Sequence, residues 1–206
     1  MIGFWDYTVI VTYISLAVSV FGMTQAVTGN IKGAILCLAV SGVLDMFDGK
    51  IARTKKERTE HEKMFGIQID SLCDIVCFGV FPALIGYTLG MKTNLDILIL
   101  ILFVLGGLVR LAYFNVTEEQ RQREQQGEVR HYYQGLPITS IAILLPIVYL
   151  LKGMLGKYFI SILDVVILVT ACLYVMNIQI KKPNGKAIGI MAIAGCILLF
   201  KLLHIM

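Results

Sequence analysis

Apolar runs close to twenty residues long, separated by short polar breaks, recur along this chain and leave few folds open to it. About twenty apolar residues is what one helix needs to cross a bilayer core about 30 Å thick. A segment in lipid must also satisfy its own backbone N–H and C=O groups, which a helix does and a lone strand cannot. Seven such segments can be marked, at about 8–29, 31–53, 66–90, 94–116, 136–152, 158–180 and 186–205. The fifth is short and carries Pro146, which predicts a tilt or a kink. The expectation is an all-α, polytopic membrane helix bundle forming one domain over residues 1–206. Charged residues make up only 16% of the chain, against about 25% in soluble domains, so a soluble fold is disfavoured. Met1 to Asp6 holds no basic stretch of the kind that opens a signal peptide.

The net charge of +4 is concentrated in alternate connections. Loop 54–65 carries Lys55, Lys56, Arg58 and Lys63; loop 117–135 carries Arg121, Arg123 and Arg130; loop 181–185 carries Lys181 and Lys182, with Lys186 beside it. The opposite side has Lys32, Lys92, Lys152 and Lys157. This bias puts the first set and the N-terminus in the cytoplasm, and an odd helix count puts the C-terminus outside. Orientation and anionic headgroups thus account for the charge. No basic stretch is interleaved with aromatics, so no nucleic-acid partner is expected. The polar loop 117–135 reads equally as an interfacial helix, a mobile lid or a solvated connection. The five cysteines lie in apolar runs without zinc-type spacing and read as packing residues, Cys73 and Cys77 included.

The chemistry is concentrated at the cytoplasmic ends of the second and third segments. Asp45 and Asp48 are three apart and share a helix face, which Gly49 and Ala52 continue. Gly66, Asp70 and Asp74 follow at successive four-residue steps on the next helix. Facing each other, two antiparallel stripes would form a four-carboxylate cup open to the cytoplasm. A carboxylate at mid-membrane costs roughly 2.5–3.5 kcal/mol, so four would cost on the order of 10 kcal/mol without cations or water. Gly49 and Gly66 remove bulk where a ligand could approach. Hard oxygen donors select Mg²⁺ or Mn²⁺, and four carboxylates balance two divalent ions. A two-metal site suits displacement at phosphorus, and Arg53, one turn beyond Gly49, offers a bidentate fork to a diphosphate. A structural ion-pair cluster would need no small residues at helical period.

The pattern Asp45-x2-Asp48-Gly49-x2-Ala52-Arg53, then Gly66-x3-Asp70-x3-Asp74, resembles the signature of the CDP-alcohol phosphatidyltransferase family. The 12 residues between Arg53 and Gly66 form a longer connection than the family commonly has. The resemblance implies that Asp45, Asp48, Asp70 and Asp74 hold the metals, with Asp74 also the general base. Asp48, Gly49, Ala52, Arg53 and Gly66 would bind the CDP moiety of the donor. It further implies a homodimer with a six-helix core, the seventh segment being a C-terminal addition.

Phe78-Gly79-Val80-Phe81-Pro82-Ala83, Arg110-Leu111-Ala112-Tyr113-Phe114-Asn115 and Gly135-Leu136-Pro137 are similar to the branch of that family whose acceptor is L-serine. CDP-diacylglycerol would then be the donor, embedded among membrane lipids. Arg110, a cation in an apolar segment, is the candidate for the acceptor carboxylate, with a snorkelling side chain as the other reading. Asn115 is grouped with it as a wall of the same pocket. Thr12 and Ser15 fall where family members often contact cytidine, but the usual asparagine pattern is absent. Asp164 reads as a structural polar contact toward the outer side, and His61, His131 and His204 have no metal-ligand partner at suitable spacing. Phosphorylated acceptors such as glycerol 3-phosphate or inositol phosphate would want a cluster of cations. A cation transporter, the competing class, is opposed by Lys50 and Arg53 beside the carboxylates and by the lack of an inverted repeat.

Overall fold

The structure is a computed structural model that describes Gly3 and residues 7–52, 54–55, 59–123 and 132–181. Among the described residues, six helices form a polytopic bundle: α1 (Ile10–Val27), α2 (Ile31–Ala52), α3 (Glu60–Leu89), α4 (Asn94–Arg123), α5 (Ile138–Leu150) and α6 (Phe159–Val175). Two three-residue strands, β1 (Tyr132–Gln134) and β2 (Gln179–Lys181), pair antiparallel and add a small ribbon to the expected all-α fold. Four helical stretches are long and apolar enough to span a bilayer: α1, α3, α4 through Gln120, and α6 with the short turns from Lys152 that lead into it. α2 has spanning length as well, but Lys32, Asp45, Asp48 and Lys50 raise its charge. The segment expected at 186–205 and Arg53 lie outside the described residues.

Two boundaries depart from the sequence expectation for local reasons. α3 begins at Glu60 rather than near 66, because Thr59 and Glu62 form a capping box. The Thr59 hydroxyl accepts from the Glu62 N–H at 3.2 Å, and the Glu62 carboxylate accepts from the Thr59 N–H at 2.8 Å. Half of the unusually long connection, residues 60–65, is therefore helix. α4 runs on to Arg123, so the first part of loop 117–135 continues a membrane helix into the polar region.

α3 widens into a π-helical turn over Ile75–Val80, where the Phe81 N–H reaches back to the Val76 carbonyl. Pro82 lies just beyond, with no N–H to donate and a ring that crowds the carbonyl four residues earlier. The widened turn absorbs that conflict without ending the helix and carries Phe78 and Phe81 into the core.

The core is a column of Ile35, Leu38, Phe78, Phe81, Phe103 and Leu145, all fully buried. The outward stripe of α4, with Leu95, Leu98, Ile101, Leu105 and Leu108, is exposed, as a lipid-facing surface requires. Lipid is as apolar as these side chains, so helices associate through close packing rather than water exclusion. Gly106 serves that contact between α4 and α6: a Cβ there would stand 3.0 Å from the Ala171 carbonyl oxygen. Backbone cannot swing aside, so Gly106→Val should destabilise the bundle by about 1–3 kcal/mol. The check is thermal unfolding in detergent beside Gly153→Ala, where a Cβ meets nothing within 4 Å and little change is expected.

Candidate metal centre and active site

Of the four carboxylates that helical spacing assigned to one cup, the structure groups three closely. Asp45 of α2 and Asp70 and Asp74 of α3 each place a carboxylate oxygen so that all three lie within 4.8 Å of one another. α2 packs along α1, and it meets the first half of α3 through these carboxylates: Asp45 shares a hydrogen bond with Asp74, and Asp48 with Asp70. Asp48 borders the group, close enough for its charge to act on Asp45, Asp70 and Asp74. It also accepts a hydrogen bond from the buried Thr12 hydroxyl of α1 at 3.5 Å.

Two like charges 4 Å apart at an effective dielectric of 20 repel by about 4 kcal/mol. A surface ion pair cannot offset several such terms, whereas a divalent cation coordinated by oxygen donors converts them to attraction. The donor set is all carboxylate, which fits a hard ion. No thiol joins it, since Cys37, Cys73, Cys77 and Cys172 are free and stand outside the group.

Side-chain ties anchor each of the two helices to a neighbour. One turn deeper than Asp45, the buried Ser41 hydroxyl donates to the Ser15 carbonyl at 3.0 Å, and the Ser15 hydroxyl donates to the Ser41 carbonyl at 3.3 Å. Ser19 and Ser41 share a hydroxyl–hydroxyl bond of 2.7 Å. This exchange locks α2 to α1. Sequence reasoning passed over Ser19 and Ser41, although Ser41 lies four residues before Asp45 on the same face. On the other side, the Ser71 hydroxyl donates to the Asn115 amide oxygen at 2.7 Å, and the Asn115 amide donates to Gln68 at 3.2 Å. Asn115 thus ties α4 to α3 at the level of Asp70.

Of the remaining sequence candidates, Gly49 and Ala52 lie in the last turn and a half of α2, and Gly66 lies half-buried one turn before Asp70. Arg110 turns its guanidinium toward Gly135 and the C-terminal end of α6. The buried Tyr174 of α6 stands beside it: its carbonyl oxygen and the Arg110 guanidinium both border the space over Gly135. Tyr174 had drawn no notice in the sequence, since it reads there as an ordinary aromatic of a spanning helix. Asp164 is half-buried on α6, with one carboxylate oxygen that makes no hydrogen bond to the protein, so the polar contact expected for it is not formed at that atom.

A membrane helix bundle with a carboxylate cup shared by two consecutive helices defines a class. Residues 7–176 match the sequence profile of the CDP-alcohol phosphatidyltransferases, and the chain belongs to that family. Its similar relatives include the CDP-diacylglycerol–serine O-phosphatidyltransferase of Saccharomyces cerevisiae, 40% identical over 109 residues that cover 52% of this chain and 38% of the relative. The protein of the same name from Helicobacter pylori is 32% identical over 163 residues, 73% of this chain and 60% of the relative. That from Methanocaldococcus jannaschii is 29% identical over 166 residues, 80% and 72% of the two chains. The match thus spans 38% of the yeast relative and 60% of the Helicobacter one, less than two thirds of either.

Ion binding at the cup has a readout independent of turnover. A divalent cation at 100 times its dissociation constant should stabilise the fold by about 2.7 kcal/mol. Asp45→Asn should remove most of that stabilisation, and should itself unfold no more easily than wild type in chelator, because a repelling charge has gone. Thermal unfolding of both proteins with and without the ion checks both signs.

Proposed function

We propose that this chain transfers a phosphatidyl group from CDP-diacylglycerol to the hydroxyl of L-serine, yielding phosphatidylserine and CMP. The observation that carries the reading is the convergence of Asp45, Asp70 and Asp74 at the family signature. The names of its relatives support the donor and the acceptor.

Asp45, Asp48, Asp70 and Asp74 would together hold two divalent ions, Mg²⁺ or Mn²⁺. Bound there, such ions supply Lewis-acid neutralisation of the attacking and leaving oxygens of the phosphate. Gly49, Ala52 and Gly66 leave room for the CDP group, with Arg53 holding the diphosphate by its planar fork. Arg110 receives the acceptor carboxylate and Asn115 walls the same pocket. Asp74 accepts the proton of the serine hydroxyl as its oxygen bonds to the lipid-bearing phosphorus. The bond from that phosphorus to the bridging oxygen breaks, and CMP departs with the electron pair. Asp74 suits this role because it stands one helical turn beyond Asp70, at the far end of the acidic stripe from Gly66. A direct displacement needs no covalent enzyme intermediate.

The wider setting follows the charge bias. The chain forms one domain, a six-helix core with a seventh C-terminal span, and works as a homodimer in the cell membrane. Its N-terminus and the mouth of the cup face the cytoplasm, where water-soluble acceptor is supplied.

The deciding experiment measures CMP release by the purified chain in detergent with CDP-diacylglycerol and L-serine, glycerol 3-phosphate or inositol phosphate. Release with serine alone, abolished by chelator and restored by Mg²⁺ or Mn²⁺, is the expected outcome. Release with a phosphorylated acceptor alone would replace serine, and full turnover in chelator would remove the ions from the chemistry. Asp74→Asn should slow release by about 10²–10⁴, the usual cost of losing a general base, with CDP-diacylglycerol binding largely kept. Joint collapse of binding and turnover would instead make Asp74 chiefly an ion ligand.

A further inference from the structure

The Gly135-Leu136-Pro137 segment carries no side chain capable of acid–base or nucleophilic chemistry, yet it is laced to the C-terminal end of α6. β1 ends at Gln134 and pairs with β2. The Gly135 N–H donates to the Ile178 carbonyl at 2.6 Å and the Leu136 N–H to the Leu173 carbonyl at 3.3 Å. The Tyr174 hydroxyl donates to the Ile138 carbonyl at 2.8 Å. Gly135 is buried, with φ of +75°, a conformation glycine adopts without steric cost.

What surrounds the missing side chain is more telling than the torsion. A Cβ at Gly135 would stand 2.6 Å from Nη1 of Arg110, 3.1 Å from the Met176 carbonyl oxygen and 3.2 Å from the Tyr174 carbonyl oxygen. The empty space is ringed by one guanidinium nitrogen from α4 and two carbonyls at the end of α6. Helix C-terminal carbonyls carry partial negative charge and favour a cation beside them. A methyl group in that space would push the guanidinium away from those carbonyls.

We infer that Gly135 is a positioning residue for the acceptor: its missing side chain seats the Arg110 guanidinium against the end of α6 and so sets where the fork meets the acceptor carboxylate. The inference rests on Arg110 being the acceptor-binding cation. It assigns a role to the Gly-Leu-Pro segment and joins acceptor recognition to the β1–β2 ribbon and the α6 terminus. A shift of the guanidinium by a fraction of its length spoils a planar, two-point contact more than it would a point charge.

The test is steady-state kinetics of CMP release, varying L-serine and CDP-diacylglycerol separately. Gly135→Ala should raise the KM for serine by about tenfold or more while the KM for CDP-diacylglycerol stays within about threefold, the signature of lost acceptor binding. Gly29→Ala controls for the torsion, since Gly29 has φ of +86° with nothing within 4 Å of a Cβ. It should leave both constants near wild type. In an Arg110→Ala background, Gly135→Ala should raise the serine KM no further, because the group it positions is gone. If the two effects multiply, or if Arg110→Ala raises the serine KM and Gly135→Ala does not, the positioning role is overturned while the Arg110 reading stands. If Arg110→Ala leaves the serine KM unchanged, the acceptor reading itself fails and the inference falls with it. Should Gly135→Ala not yield folded protein, recovery of folding in Gly135→Ala/Arg110→Ala would locate the clash at Arg110. No recovery would assign Gly135 to the backbone alone and overturn the inference.

Discussion

Mutual repulsion of carboxylates at the ends of two membrane helices is the constraint to which the rest of this structure answers. Three oxygens from Asp45, Asp70 and Asp74 within 4.8 Å, with Asp48 beside them, form an arrangement that the chain must be made to adopt. Left to themselves, the helices would rotate or separate until the charges found water. The surrounding contacts act against that relaxation, and they are of a kind that retains its strength away from water.

Hydrogen bonds between small hydroxyls carry much of the restraint. Ser41 and Ser15 exchange side-chain-to-backbone bonds in both directions, and Ser19 adds a third contact at the same level. In lipid-facing bundles such bonds contribute on average about 0.6 kcal/mol each, so it is their number and their placement one turn from Asp45 that matter. Ser71, Asn115 and Gln68 do the equivalent between α3 and α4. Close helix approach at Gly106 then brings α6, with Tyr174, to the Arg110 side of the site. Each tie reduces the freedom of a helix that presents a functional side chain.

The π-helical turn after Asp74 belongs to the same design. Up to Asp74, α3 keeps the four-residue period that aligns Gly66, Asp70 and Asp74. Beyond it, the helix changes phase over Ile75–Val80 and turns Phe78 and Phe81 into the core. One helix thereby serves two faces, a polar one toward the cup and an apolar one toward the bundle. Neither Pro82 nor the phenylalanines take part in the chemistry, but they decide where the functional face ends.

The apolar runs, the helix phase of the four aspartates and the family signature were all legible in the sequence, because helical geometry makes residues three and four apart neighbours whatever the helix packs against. The capping box at Thr59 and Glu62 was legible in principle, and overlooking it shifted the start of α3. Other features had no local signal. That Asn115 would bond to Ser71, 44 positions away, and that Arg110 would turn toward Gly135 and the end of α6 depend on which helices become neighbours. By itself the sequence determined a membrane helix bundle with two acidic stripes in phase, since periodicity and apolar length are properties of a single segment. Only the tertiary structure decided how those stripes meet and which residues complete the site, since distances between helices are set by side chains packed from distant parts of the chain.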